Sequence, residues 1–394
     1  MHINTHHLSY CTNVHPSETV EELFTILDQE IPPIKAALCP RQPFGLGLRV
    51  GATVCRQLIL NQSTVLNQLL AKLDERNLYV YTINAFPYGS FSAQRIKEQV
   101  YSPNWCTDAR LEYTLNIATL LSLLPGPQKR SISTVAGGFQ PETLSIEDAQ
   151  KMSNQLRKLC QGLAQIEDKT GIRIQVGLEP EPWTTLEKST EVIDFFERWI
   201  WPSTSLAPDY LGMCYDTCHQ AIAFEDPINS WSRLHEAQIP IVKVQLSNAL
   251  ILNQPESEIG RTRLQQFSEP RFLHQVTGRQ VDGTILRALD LPDIASPPKE
   301  WIDCEEWRCH MHVPLWWDGD QYIKTTSAYW RSIASLCSTQ EHLHIETETY
   351  SWSVLPPSHP GRTAGLTACL IKELQVAQDA LTNHTNPSIK NSSQ

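Results

Sequence analysis

Nine short apolar, β-prone runs recur along the chain, at 8–13, 45–50, 78–84, 131–135, 174–179, 211–216, 241–246, 308–313 and 342–348. Between them lie stretches in which apolar residues return every three to four positions, clearest at 54–75, 108–124, 146–169, 189–201 and 366–381. Ser145 with Asp148 makes a capping box at the start of the third. Strands alternating with helices predict parallel strands joined by crossovers, and here an α/β fold of the (β/α)8 TIM barrel kind. A barrel needs eight strands, so the excess run is assigned to 45–50, as an extra strand or a rim hairpin interrupting the first crossover. The run 308–313 then counts as the seventh strand. From residue 246 to 308 the spacing opens to some sixty residues carrying Pro255, Pro270, Pro292, Pro297 and Pro298. That exceeds a simple crossover and predicts a lid-like insertion after strand 6, at about 251–307. One barrel domain over 1–382 is expected, with a polar, disordered tail at 383–394.

Four late segments pair ionisable residues on strand-like stretches: Glu179-Pro-Glu181, Asp216-Thr-Cys-His219, His310-Met-His312 and Glu346-Thr-Glu348. Residues two apart on a strand face the same way, so each such pair projects into one space. Each follows or ends an apolar run, where barrel strands present functional groups at their carboxyl ends. A strand-end acid such as Glu179 or Glu346 is costly among apolar neighbours unless paired or bound to a cation. Asp216 and His219 offer an oxygen and a nitrogen from one element, and His310 with His312 offer two imidazoles from one strand. Mixed nitrogen and oxygen ligation suits zinc, manganese, iron or cobalt. The expected ligands of a divalent metal are thus Glu179, Asp216, His219, Gln245, His310, His312 and Glu346, with the oxygens of Glu179, Asp216 and Glu346 converging. Gln245 ends the strand between the Asp216 and His310 elements and would complete the site or orient substrate. His274 is a weaker candidate, a ligand descending from the insertion. Of the two imidazoles on 308–313, His312 is expected in direct contact and His310 as the more buried support.

A formal charge of −11 argues against a general phosphate-backbone binder. The eleven cysteines form no CxxC pair, which argues for reduced, buried thiols. Neither a secretion signal nor a stretch of 18 apolar residues is present, so a cytoplasmic protein without membrane insertion is expected. Around the predicted mouth, Phe86, Tyr88 and Trp316 offer aromatic faces to a sugar ring or planar ligand, while Arg49, Arg95 and Lys97 offer charge to an anionic group. Gly137-Gly138 is read as a turn, and neither a dinucleotide fingerprint, a phosphate loop nor a nucleophile elbow is found.

At these residues the chain resembles the xylose-isomerase-like barrel superfamily of sugar isomerases, epimerases and endonuclease IV type enzymes. The resemblance rests on Glu179 after the fourth strand, Asp216-x-x-His219 after the fifth and Glu346 after the eighth. Within that superfamily, His7-Leu-Ser-Tyr-Cys-Thr-Asn13, Phe86-Pro-Tyr-Gly, Lys97-Glu-Gln-Val-Tyr101, Leu178-Glu-Pro-Glu-Pro, Lys243-Val-Gln-Leu-Ser and Glu346-Thr-Glu-Thr-Tyr350 look like the metabolite-traffic protein EboE family, from about His7 to Gln375. That resemblance implies the handling of a secondary-metabolite precursor beside partner proteins of one operon. Sugar isomerases usually place His where this chain has Gln245.

The function expected first is a metal-dependent isomerase or epimerase on a small polyol- or sugar-like metabolite, with Glu181 or Glu348 moving a proton and His312 at the reacting centre. A multi-metal hydrolase or phosphodiesterase and a non-catalytic metabolite-binding barrel are the alternatives.

Overall fold

The computed structural model of the chain describes residues 1–60, 64–139 and 144–382; the segment 383–394, expected to be a disordered tail, lies outside the described residues. Fourteen strands are described: β1 (His2–Ile3), β2 (His6–Tyr10), β3 (Phe44–Arg49), β4 (Leu78–Asn84), β5 (Lys129–Val135), β6 (Arg173–Glu179), β7 (Leu211–Asp216), β8 (Ile241–Leu246), β9 (Asn248–Leu252), β10 (Val276–Arg279), β11 (Ile285–Ala288), β12 (Glu306–Val313), β13 (Lys324–Thr325) and β14 (His344–Thr347). Eight of them, in the order β2-β14-β8-β7-β6-β5-β4-β3, form parallel ladders. A parallel bridge from Cys11 to Gly47 joins the two ends of that order and closes the sheet into a (β/α)8 barrel. The short β1 adds an antiparallel hairpin to β2.

All nine apolar runs are strands, but the odd one out is not the one expected. The run at 45–50 is β3, the second barrel strand, and the run at 308–313 is β12, which pairs antiparallel with β9 and β10 in a separate sheet of order β11-β10-β12-β9-β13. The strands bearing Glu179, Asp216 and Gln245 are therefore the fifth, sixth and seventh of the barrel. The inserted sheet leaves the chain after the seventh strand and extends to Thr325.

Helices cover the outside because their apolar stripes match the barrel's outer face. The longest, Ile146–Thr170, starts where the Ser145 hydroxyl accepts from the Asp148 N–H at 3.1 Å and ends at Gly171, whose φ of 71° is left-handed. Its Leu156, Leu159 and Leu163 are buried at helical spacing, each stabilising the packing by about 2 kcal/mol. No described helix is long and apolar enough to cross a membrane.

Inside the barrel the alternate residues of several strands are polar. On β14 and its continuation, His344, Glu346 and Glu348 rise in sequence: His344 Nδ1 meets the Ser131 hydroxyl at 2.8 Å, Glu346 meets Lys243 Nζ at 2.5 Å, and Glu348 accepts from Asn13 and Asn84 at 2.8 and 2.9 Å. Lys243 also donates to Ser133 at 3.1 Å. Gly47 is required opposite this stack, since a Cβ there would lie 1.3 Å from Glu346 Oε1.

Candidate metal centre

Two sets of side chains meet at the carboxyl end of the barrel. The floor is acidic: ligand oxygens of Glu179, Asp216 and Glu348 lie within 4.8 Å of one another. Each of these residues is 4% exposed or less, and each keeps one oxygen, Glu179 Oε2, Asp216 Oδ2 and Glu348 Oε2, without a hydrogen bond. Burial, and then the carboxylate of Asp216, raise Glu179 well above the usual range; burial, Glu179 and Asp216 do the same to Glu348. The other oxygen of Asp216 is fixed by the Cys218 N–H at 2.7 Å, the His219 N–H at 3.2 Å and the Ser247 hydroxyl at 2.6 Å. Asp216 thereby caps the short helix Thr217–Ile222 and leaves its other oxygen without a protein partner.

The wall is imidazole. His310 and His312 project from β12, where the pairing with β9 shifts register between Cys309 and Val313, a bulge that re-aims side chains. His312 Nε2 lies 3.2 Å from His219 Nε2 and 3.1 Å from His310 Nε2. The opposite nitrogens all face oxygens that only accept: His219 Nδ1 meets Pro180 O at 3.2 Å, His310 Nδ1 meets Gln275 Oε1 at 2.7 Å, and His312 Nδ1 meets Glu348 O at 2.5 Å. The Gln275 amide orientation follows from its nitrogen, which donates to Pro182 O and to Tyr101. Each Nδ1 therefore carries the hydrogen, and three Nε2 lone pairs point at one another. Burial lowers the pKa of all three rings, so protonation does not relieve that repulsion near neutral pH. A cation does. Asp216, His219 and His312 offer ligand atoms within 4.8 Å of one another, as do Glu181, His219 and His310, and also Cys218, His310 and His312. The residues fit a divalent ion in both sets, with Asp216 common to floor and wall.

Glu181 stands beside the wall, 3.6 Å from His310 Nδ1, and accepts from the Tyr101 hydroxyl at 2.8 Å. Burial pushes its carboxyl up to about 8, against the hydrogen bond from Tyr101.

Several expected site residues lie elsewhere. Glu346 does not join the floor, because the buried Lys243 holds it one layer down in the barrel; burial alone would lower that ammonium, and the Glu346 carboxylate together with Cys214 and Cys11 more than reverses it. Glu348, two residues on, takes the place foreseen for Glu346. Gln245 is fully buried and accepts from the Cys214 thiol at 3.0 Å, outside the ligand groups. His274 spans Glu269 and the His310 carbonyl instead of descending as a ligand. Arg49 is buried against Glu18, Ser17 and Gly89, Tyr88 packs edge-on to Tyr113, and Trp316 lies under Lys372 with Trp352 beside it, so none of these lines the cavity. Phe86 and Lys97 do line it. His310 and His312 are both buried, at 3% and 1% exposure, with no division into contact and support. Asn13, Asn84, Tyr101 and Gln275 escaped sequence reading. Asn13 and Asn84 each follow or end a barrel strand, the position that flagged the acids, but a neutral amide carries no charge to draw notice.

No family profile matches the chain, and no curated protein is similar to it in sequence. Solved structures share its architecture. The probable 3-DHS dehydratase AsbF of Bacillus anthracis, involved in petrobactin synthesis, is 15% identical, with a TM-score of 0.50 over 94% of this chain and 98% of that one. An L-ribulose 3-epimerase is 11% identical, TM-score 0.51, covering 96% and 95%. A xylose isomerase-like TIM barrel protein from Mycobacterium smegmatis, in complex with magnesium, is 10% identical, TM-score 0.50, covering 98% and 100%. At such identities the likeness establishes the fold alone, a (β/α)8 TIM barrel.

Proposed function

We propose that the protein is a divalent-metal-dependent enzyme that moves a proton on a small metabolite bearing adjacent oxygens, a polyol- or sugar-like isomerase or epimerase. The observation that supports this best is the floor itself: three buried carboxylates with ligand oxygens within 4.8 Å of one another, each keeping an oxygen without a hydrogen bond, and a Lys243 already committed to Glu346. Bound there, a zinc, manganese, iron or cobalt ion would polarise a carbonyl or hold two neighbouring hydroxyls. Around it, Glu179, Asp216 and Glu348 hold the ion, Asn13 and Asn84 fix the Glu348 carboxylate, and Glu181, steadied by Tyr101, gives or takes the proton. His312 lines the same cavity, its Nε2 against those of His219 and His310. The dehydratase, the epimerase and the magnesium-bound protein among the structural neighbours are compatible with this chemistry. In this reading the substrate is a secondary-metabolite precursor handled in the cytoplasm beside proteins of the same operon, a setting that rests on the EboE-like segments alone.

A second reading, a hydrolase with two or more ions, is favoured by the separate imidazole wall and by Asp216 standing in both sets. The test combines metal analysis of protein purified without chelator with incubation of simple α-hydroxy ketones in D2O. Bound metal and deuterium at the carbon beside the carbonyl, lost in Glu181→Gln with metal retained, is the expected result. Protein that binds none of these ions at micromolar concentration would overturn the proposal, and two ions without any exchange would favour the hydrolase.

A further inference from the structure

Above the metal centre two straps meet. Residues 86–101, after β4, and 269–273, in the insertion, are joined where the Ile96 and Lys97 N–H groups both donate to Arg271 O, at 2.8 and 3.0 Å, and where Lys97 pairs with Asp290. Phe91, Phe272 and Tyr350 interlock over the opening, with ring centroids 4.9 to 5.3 Å apart. The cavity they border is about 50 Å³, room for a few waters. A substrate larger than that would have to displace part of this lining, and the apolar faces that the straps contribute to it are those of Phe86, Phe91, Ile96, Val100, Phe272 and Leu273.

The polar groups of this upper wall are largely engaged. Lys97 is paired with Asp290, the Tyr101 hydroxyl donates to Glu181, and the Asn84 oxygen accepts from the Phe86 N–H while its nitrogen donates to Glu348. Apart from Glu181 and the imidazoles of the wall, Asn13 Oδ1 and the Tyr350 hydroxyl are what remains for a ligand. The hydroxyls of a free sugar or polyol that lie under the straps, away from the ion, Glu181 and the imidazoles, outnumber these two side chains. Each further hydroxyl would be buried against hydrocarbon without a partner. Resting on the metal-centre reading above, we infer that the substrate is only polyol- or sugar-like at one end: a chelating pair of oxygens reaches the floor, and the remaining body is apolar or aromatic, enclosed by the two straps.

Hydroxamates test this directly, since their head supplies two adjacent oxygens and the rest can be varied. Zinc-loaded protein would be titrated calorimetrically with acetohydroxamate, benzohydroxamate and gluconohydroxamate, with zinc retention checked afterwards. Benzohydroxamate should bind ten-fold or more tightly than acetohydroxamate, from the added apolar burial, and gluconohydroxamate no more tightly than acetohydroxamate. Phe272→Ala should narrow the benzo-to-aceto ratio toward one. Equal affinities for the first two, or tightest binding of gluconohydroxamate, would overturn the inference while leaving the metal centre intact. Zinc-loaded protein that binds no hydroxamate, or protein that takes up no zinc, would remove the metal-centre reading and this one with it.

Discussion

In the barrel each carboxylate of the floor arrives on its own strand, β6, β7 or the end of β14, and its height is fixed by parallel ladders that run around the whole sheet. In the inserted sheet both imidazoles arrive on one strand, β12, at a local bulge. The floor is thus a property of the closed sheet, which shifts only if register changes everywhere, whereas the wall is a local device that a change in the insertion alone can move. A barrel can acquire or re-aim such a wall without disturbing the floor beneath it. The comparison also predicts which substitutions act on one set, and which on both.

Asp216 belongs to both and should show the largest effect. Asp216→Asn keeps an oxygen for the Cys218 and His219 N–H groups, so the cap and the fold should persist, while ligation at floor and wall weakens together. Turnover should fall about 10³-fold or more, and bound metal at both positions should drop in elemental analysis. An Asp216→Asn protein holding its full metal complement would break the idea that one residue couples the two sets.

Glu346→Gln comes next and acts on neither set. It leaves the Lys243 ammonium, fully buried, without its counter-ion, a loss of about 3–5 kcal/mol in urea unfolding. Metal content should be unchanged. Loss of metal with stability intact would return Glu346 to the floor.

That pair of glutamates marks how far the sequence could be read. Period-two spacing identifies Glu346 and Glu348 as facing one space, but which of them stops at the mouth depends on Lys243, a residue on a neighbouring strand whose height follows from register. The nine strands were legible for the same reason that their partners were not: alternation is local and pairing is not. The run at 45–50 looked dispensable because it interrupts the first crossover and a barrel needs only eight strands, yet Gly47 is there so that Glu346 can lie across the barrel. The run at 308–313 looked like a barrel strand because nothing in its own residues distinguishes an antiparallel neighbour from a parallel one. The spacing of His310 and His312 puts both rings on one side whichever sheet holds them, so their meeting with His219 needed no correct topology, only the insertion folding back over the mouth.

Gln275 allows the wall to be weakened alone. Its oxygen holds His310 Nδ1 at 2.7 Å, and Gln275→Met removes that acceptor while preserving volume. Affinity for a wall ion should fall about 10–100-fold, with the floor ion unaffected, as read by zinc competition against a fluorescent chelator. A single affinity class that shifts as a whole would mean that floor and wall bind as one centre.

The smallest effect sharpens the comparison from outside both sets, at Glu373 on the helix Leu366–Thr382. This carboxyl is as buried as the floor carboxylates, but it accepts from the Leu315 N–H at 3.1 Å and the Thr349 hydroxyl at 2.7 Å and faces no second acid within the site. Burial pushes it up to about 7, from an ordinary value of 4.5. A lone buried carboxyl thus meets its desolvation by keeping a proton, where in the proposed reading the clustered carboxylates of the floor would meet theirs with a cation. Between those two values the folded chain binds more protons at this position than the unfolded chain, so its contribution is fully present below pH 4.5 and is lost as pH rises through about 7. The loss should be about 1.5 kcal/mol between roughly pH 5.5 and 7 and level off above. In metal-loaded protein Glu373→Gln should remove that slope, and a chelator should leave the Glu373 share of it unchanged, because no ion neutralises this group. If the metal-loaded Glu373→Gln protein loses the same stability over that range, the proton is taken up elsewhere, and the contrast between a protonated carboxyl and a metal-bound cluster fails at its simpler end.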